Sequence, residues 1–151
     1  MRKQKICIIG GSLTGLITAI ALSKLHCEID LITGDVNQNY KSNRTIAISE
    51  NNFDFLNKLN IKKSLKKEMW PCSRMQLYTE IKNEKFSEVF EINNNHKEKK
   101  IFYMLENSKI MKLMICKIKQ IKSISIKSNE KISEICTSGS LKTIKINNNK
   151  F

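Results

Sequence analysis

Residues Lys5 to Thr33, KICIIGGSLTGLITAIALSKLHCEIDLIT, constrain the fold more than any other stretch of this chain. Within them, Ile6 to Ser23 runs eighteen residues without a charge, directly behind the basic start MRKQK. Such a run fits a secretory signal, a membrane span, or a buried strand that turns into a buried helix. The basic start and the small residues of IALS match a signal peptide. The length lies at the short end for a transmembrane helix. Against both stand Gly10, Gly11, Ser12, Thr14, Gly15 and Thr18, which weaken a helix where it has to propagate. A lipoprotein signal would also want a small residue before Cys27, where His26 stands.

The third reading accounts for the interruptions. KICIIG is a short β-branched run ending at glycine, the pattern of a buried parallel strand. LTGLITAIALSKL then places Leu13, Leu16, Ile17, Ile20 and Leu25 with Ala19 and Ala21 on a buried helix, and EIDLIT reads as a second strand. Strand, glycine turn, helix and strand over residues 5–33 make the βαβ unit of a dinucleotide-binding fold. Gly10 permits the tight turn, and Gly15 lets the helix pack closely on the sheet. Between them the backbone N–H groups of Gly11, Ser12, Leu13 and Thr14 face a pyrophosphate, helped by the helix dipole.

Two positions depart from that fingerprint. The middle glycine of G-x-G-x-x-G is Ser12, a small residue whose hydroxyl can donate to a phosphate. The acidic residue that usually closes the second strand and holds a ribose is replaced by Thr33, with Asp35 two residues beyond as the substitute.

Composition matters next, because the net charge is +13 and the pI near 9.6. A nucleic acid or an anionic membrane is the usual inference from such a balance. Yet only Arg2, Arg44 and Arg74 are arginine, whereas phosphate and base readers favour its bidentate fork. Ile, Lys and Asn, all with A- and T-rich codons, make up 63 of the 151 residues. Mutational bias explains the charge without a partner, and no nucleic acid is expected. A non-enzymatic basic module for nucleic acid or anionic lipid is the alternative. Five scattered cysteines and two histidines without a C-x-x-C pair argue against zinc and against a disulfide framework. Thiols of this kind suit a reducing cytoplasm.

Further along, RTIAISENNFDFLNKLNI carries a plausible N-cap at Ser49 and an apolar stripe at Phe53, Leu56 and Leu59. RMQLYTE, FSEVFEI and KKIFYMLE read as strands of a sheet insertion over about residues 73–105. A helix follows over 107–120, with Asn107 as its N-cap. Alternating Ile with Lys or Ser over 121–147 suggests half-exposed antiparallel strands. Trp70, Pro71, Tyr78, Phe86, Phe90 and Phe102 are expected in the core of the sheet, or else lining a pocket.

Three blocks in order, ICIIGGSLTGLITAIAL, RTIAISENNFDFLNKLNI and IFYMLENSKIMKLM, resemble the flavin-dependent aromatic hydroxylases, and most closely their ubiquinone-biosynthesis branch. That branch has D-x-R-x-x-A-L-S, matched from Ser42 through Arg44 to Ser49, then a helix ending L-x-x-L-G-I, matched by Leu56 to Ile61, so the resemblance implies an FAD-contacting loop and helix over residues 42–61. Its tyrosine followed by Glu-Asn is matched by Tyr103, Glu106 and Asn107, and the resemblance implies a flavin contact for Asn107 as the alternative to its capping role. The resemblance implies an α/β fold: a Rossmann-like FAD-binding βαβ unit with an inserted antiparallel sheet, incomplete relative to the full family fold. It implies FAD held by Gly10, Gly11, Ser12, Leu13, Thr14, Gly15, Thr33, Asp35 and Arg44, with Arg44 beside the phosphates and ribose. Ser42 stands where the family has an Asp that partners this Arg.

The family's later Asp-Gly turn and Gly-Asp-Ala block have no counterpart in residues 1–151, which match about its first two-fifths. The chain is therefore expected to form a single partial FAD-binding domain without catalytic residues or a metal, inactive alone. A separately encoded C-terminal half would complete it. In the complete enzyme NAD(P)H is the expected electron donor and an aromatic or quinone-precursor ring the substrate. The expected location is cytoplasmic, at most peripheral to the inner face of a membrane, with no transmembrane segment.

Overall fold

The secondary structure follows the local signals closely, while the pairing of strands departs from them in two places. The structure is a computed structural model, and it describes residues 3–36, 42–61, 65–81, 84–93, 100–146 and 149–150. The stretch 37–41, within the polar loop after the second strand, lies outside the described residues. The chain divides into two compact units, residues 1–39 with 114–151 and residues 40–113.

The first unit is built on a parallel sheet of β1 (Lys5–Ile9), β2 (Glu28–Thr33) and β8 (Ile124–Ser128), with β2 in the centre. Helix α1 (Leu13–Leu22) connects β1 to β2 and buries Leu16, Ala19 and Ile20, the i, i+3, i+4 face of a packed helix. It is shorter than the apolar run suggests. Ser23 opens a single 3-10 turn, donating its hydroxyl to the Ile20 carbonyl at 2.7 Å, and His26 in the left-handed region (φ 55°) turns the chain into β2. Leu25 is thereby left exposed. Ile29 and Leu31 of β2 are fully buried on the helix-covered face of the sheet.

The reading of β1 as a buried strand needs correction. Its residues alternate, with Lys5, Cys7 and Ile9 exposed, because β1 is an edge strand of the sheet. The reading of the tail as wholly antiparallel is also corrected. β8 pairs parallel with β2, from Ile29 opposite Ile124 to Thr33 opposite Ser128. Only β9 (Ile132–Ser138), β10 (Leu141–Ile146) and β11 (Asn149–Lys150) form the antiparallel meander.

The second unit has a three-stranded antiparallel sheet in the order β3 (Thr45–Ser49), β7 (Phe102–Glu106), β4 (Trp70–Cys72). Strand β3 comes from a stretch read as a cofactor-contacting loop, and β7 pairs with it rather than with the inserted strands. Those strands, β5 (Arg74–Ile81) and β6 (Glu84–Asn93), form a two-stranded hairpin of their own. Arg74 bridges Glu91 across its polar face at 2.8 Å.

The aromatic residues expected in the core do not reach it. Trp70, Tyr78, Phe86 and Phe90 are all exposed, Phe86 most of all at 72%. Tyr78, Phe86 and Phe90 lie on the β5–β6 hairpin, where two strands alone cannot bury both faces of a ribbon, and Trp70 lies on β4, an edge strand of the three-stranded sheet.

Helix α2 (Glu50–Lys58) begins at Ser49, whose hydroxyl accepts from the Asn52 N–H at 3.3 Å, and buries Phe53 and Leu56. It ends in a Schellman motif: Asn60 is left-handed at φ 61°, its N–H donates to the Asn57 carbonyl, and the Ile61 N–H donates to that of Leu56. Leu56 and Ile61 are both buried, as that motif favours. Helix α3 (Asn107–Lys119) carries Ile110 and Met111 into the core of this unit. The division between units falls within α3, after Leu113.

Candidate functional site

In the first unit the site is the turn from β1 into α1. Gly10 adopts φ +117°, a conformation that side chains resist, and its N–H donates to the Ile32 carbonyl at 2.8 Å. That bond ties the end of β1 to β2 while the chain reverses. Gly15 lies over the turn so closely that a Cβ on it would come within 2.0 Å of the Gly10 carbonyl oxygen. Gly11 meets a different neighbour: a Cβ there would come within 1.8 Å of the Thr33 Oγ1.

Ser12 precedes the helix in an extended conformation (φ −71°, ψ 170°) and makes no capping hydrogen bond with its side chain. The first turn of α1 also contains no acidic residue. The first N–H groups of a helix have no partner within it, and among the described residues the Ser12 side chain does not cap them. They present a concentrated positive end suited to an anion, with the exposed hydroxyls of Ser12 and Thr14 beside it. Two glycines that cannot bear a side chain and an uncapped helix fit a pyrophosphate, so the residues present suit the phosphate portion of a dinucleotide.

Thr33 is buried at 5% exposure, with its side chain against Gly11, where it packs the turn. Its carbonyl accepts from the Asn129 N–H at 3.0 Å. Asp35 follows half-buried. Nothing in the sequence pattern alone signals the Gly11–Thr33 contact, which joins residues twenty-two apart.

In the second unit, Arg44 is held through its backbone. Its N–H donates to the Ser42 hydroxyl at 3.2 Å, and its carbonyl accepts from the Asn107 N–H at 2.9 Å. Ser42, standing where the resembled branch has Asp, thus orients the chain at Arg44. Asn107 is the first residue of α3 and sits beside Arg44 because Thr45 pairs with Glu106. The guanidinium is exposed and makes no hydrogen bond or ion pair among the described residues.

Close by in sequence, Tyr103 donates its hydroxyl to Glu50 at 3.1 Å, and the same carboxylate accepts from the Lys100 N–H. The Tyr103 ring packs on Phe53 with centroids 4.6 Å apart. Burial pushes the Tyr103 phenol above its ordinary value of 10.0, and the Glu50 carboxylate adds to the shift. Sequence reasoning singled out Tyr103 but missed Glu50, whose partner lies fifty-three residues away.

Among the described residues, no group of three or more His, Cys, Asp or Glu side chains comes together to hold a metal. None of the five cysteines forms a disulfide. No described helix is long and apolar enough to cross a membrane.

A parallel sheet opening on a glycine turn, combined with antiparallel sheets, is the α/β arrangement found in part of the FAD-dependent monooxygenases. Among solved structures, the chain is similar to p-nitrophenol 4-monooxygenase PnpA of Pseudomonas putida, with a TM-score of 0.73 and 15% identity over 95% of this chain and 36% of that one. It is also similar to PqsL, a probable FAD-dependent monooxygenase of Pseudomonas aeruginosa, with a TM-score of 0.74 and 10% identity over 97% of this chain and 39% of that one. A third, CtdE in complex with FAD, has a TM-score of 0.68 and 12% identity over 99% of this chain and 36% of that one. At such identities the likeness is one of fold. The chain spans between 36% and 39% of the length of these three structures. No protein-family model matches the sequence, and no curated protein matches it.

Proposed function

We propose that this chain is the FAD-binding portion of a flavin-dependent monooxygenase that hydroxylates an aromatic ring, in the ubiquinone-biosynthesis branch, a quinone precursor. The observation that carries the reading is the β1–α1 turn: glycines with no room for a side chain, an uncapped helix, and a fold shared with FAD-dependent monooxygenases. The backbone N–H groups from Gly11 to Gly15 would hold the pyrophosphate. Ser12 would donate its hydroxyl to it, and Thr33 and Asp35 would flank the ribose. Arg44 would supply a fixed cation with directed donors.

Bound FAD would supply the oxygen-activating chemistry, with NAD(P)H as its reductant. This chain's own contribution is to bind and orient the cofactor at its phosphate end. The walls around the reacting ring would come from further polypeptide, so that the 151 residues alone bind FAD weakly and turn over nothing.

Titration of FAD and of ADP into the chain, followed by flavin fluorescence and calorimetry, tests this reading. ADP is expected to compete with FAD, because both present a pyrophosphate to the same turn. Arg44→Ala is expected to weaken FAD binding about tenfold, the effect of one charge-assisted contact. Failure of FAD to bind either alone or with a candidate complementing polypeptide would sink the proposal.

A further inference from the structure

The β5–β6 hairpin has two open edges, and only one of them is regular. Among the described residues it has no third strand, and two strands alone are marginal in water. The extra residues at its irregularities fall on β6. Leu77 lies opposite Phe90 while Tyr78 lies opposite Glu88, and Thr79 lies opposite Ser87 while Ile81 lies opposite Glu84. Strand β5 is continuous over its eight residues, so its outer edge is the regular template for another strand.

The side chains of the ribbon sort by face. The Met75–Ile92 and Leu77–Phe90 pairs share one face, where Leu77, Phe90 and Ile92 are exposed. Arg74, Gln76 and Glu91 share the other, joined by the Arg74–Glu91 bridge and the Gln76 amide. By the same alternation Tyr78 and Glu80 follow on that second face.

The β5 segment RMQLYTE is self-complementary about Leu77. Laid antiparallel on its own copy with Leu77 opposite Leu77, it sets Arg74 opposite Glu80 at both ends. Gln76 then meets Tyr78 and Met75 meets Thr79, each pair on one face. A slip of two residues either way separates both charge pairs. Glu80 is exposed and has no cation against it among the described residues. Arg74 uses Nε and one terminal nitrogen on Glu91, and its side chain is still 57% exposed, with the remaining guanidinium donors open to a second carboxylate. Residues 74–93 hold three basic and four acidic residues in a chain of net charge +13, so two copies meet here without setting cation against cation.

We infer that the β5 edge pairs with the β5 edge of a second copy, in an antiparallel two-fold contact centred on Leu77. The four strands then form one sheet with an apolar face and a charged face, and each copy presents the same patch to the other. This contact goes beyond the flavin reading and does not depend on it.

Sedimentation velocity of the full chain, over about 5 to 500 µM, tests the inference, with a reversible monomer–dimer equilibrium expected. Glu80→Arg keeps the Arg74–Glu91 bridge but sets like charges opposite at both ends, and should weaken the dimer at least about tenfold. Arg74→Glu should weaken it similarly. An equimolar mixture of the two variants regains both opposite-charge pairs across the contact, and should dimerise again when their circular dichroism matches the wild type. Leu77→Cys, oxidised with glutathione disulfide, should link two copies at position 77 as read by peptide mapping, whereas Met75→Cys should not link to itself.

A chain that stays monomeric at every concentration would overturn the inference and leave the edge to a different partner. A dimer unchanged by Glu80→Arg, or a crosslink as ready at position 75 as at 77, would place the contact elsewhere and overturn it too. FAD titration is expected to be the same in Glu80→Arg as in the wild type, so either reading can fail without the other.

Discussion

At the scale of single residues, the glycine turn separates two kinds of crowding. A Cβ at Gly15 would strike the Gly10 carbonyl, which is backbone and cannot move without reshaping the turn. Gly15→Ala is therefore expected to cost about 3 kcal/mol in chemical denaturation. A Cβ at Gly11 would strike the Thr33 hydroxyl, which a rotamer change relieves, and would still lie 2.8 Å from the Thr33 Cβ, which only a smaller shift of the two segments relieves. Gly11→Ala should cost less, and Thr33→Ala should recover part of that loss in the double variant. Equal costs at the two glycines would contradict the crowding described.

Tyr103 offers a second test at this scale. Tyr103→Phe keeps the ring against Phe53 but deletes the bond to half-buried Glu50, for about 1 kcal/mol. The raised phenol pKa also sets the sign of a pH effect. The folded state holds this proton more tightly than the unfolded state does, so the stabilisation is complete below pH 10.0 and is lost as pH rises through the folded value above it. Alkaline denaturation of the wild type should show that loss, and Tyr103→Phe should remove its share.

At the scale of elements, the two principal N-termini behave differently. Ser49 caps α2, so Ser49→Ala should cost about 1 kcal/mol. Ser12 does not cap α1, so Ser12→Ala should leave stability nearly unchanged and act on anion binding instead. The C-terminus of α2 carries a correctable strain. Asn60 occupies the left-handed position that the resembled branch fills with glycine, and Asn60→Gly is expected to stabilise the chain by about 0.5 kcal/mol, read as a shift in thermal midpoint. Elements of this kind were largely legible in the sequence. Ser49, the Phe53–Leu56 stripe and the apolar run of α1 act within one or two turns, and their chemistry is local. Less legible were β3 and β4, because TIAIS and WPC become strands only by pairing with β7.

At the scale of the whole molecule, the +13 charge acts as self-repulsion. Sodium chloride should therefore raise the thermal midpoint, by about 3 °C between low and physiological salt. Duplex DNA should bind only at low salt, since no arginine cluster supports it. Tight binding that persists at moderate salt would reopen the basic-module reading. The candidate site was legible in part for the same reason as the elements. A glycine turn between a strand and a helix is a local pattern, so Gly10, Gly11 and Gly15 stood out. Thr33 against Gly11 and Tyr103 against Glu50 escaped notice because each joins segments far apart in sequence.

The sequence by itself determined the strand, glycine turn and helix of residues 5–22, the caps of α2 and the order of the later elements, because backbone preference and hydrophobic periodicity operate over a few residues. The βαβ pattern also made β1 and β2 parallel neighbours, and beyond that pair tertiary structure alone decided which strands lie side by side. It set β8 parallel beside β2, drew β7 to β3 instead of to the β5–β6 hairpin, and left β1 at the edge with its outward backbone groups open. Strand pairing is a contact between distant segments, and an alternating pattern shows which face a residue takes without showing which strand lies beside it.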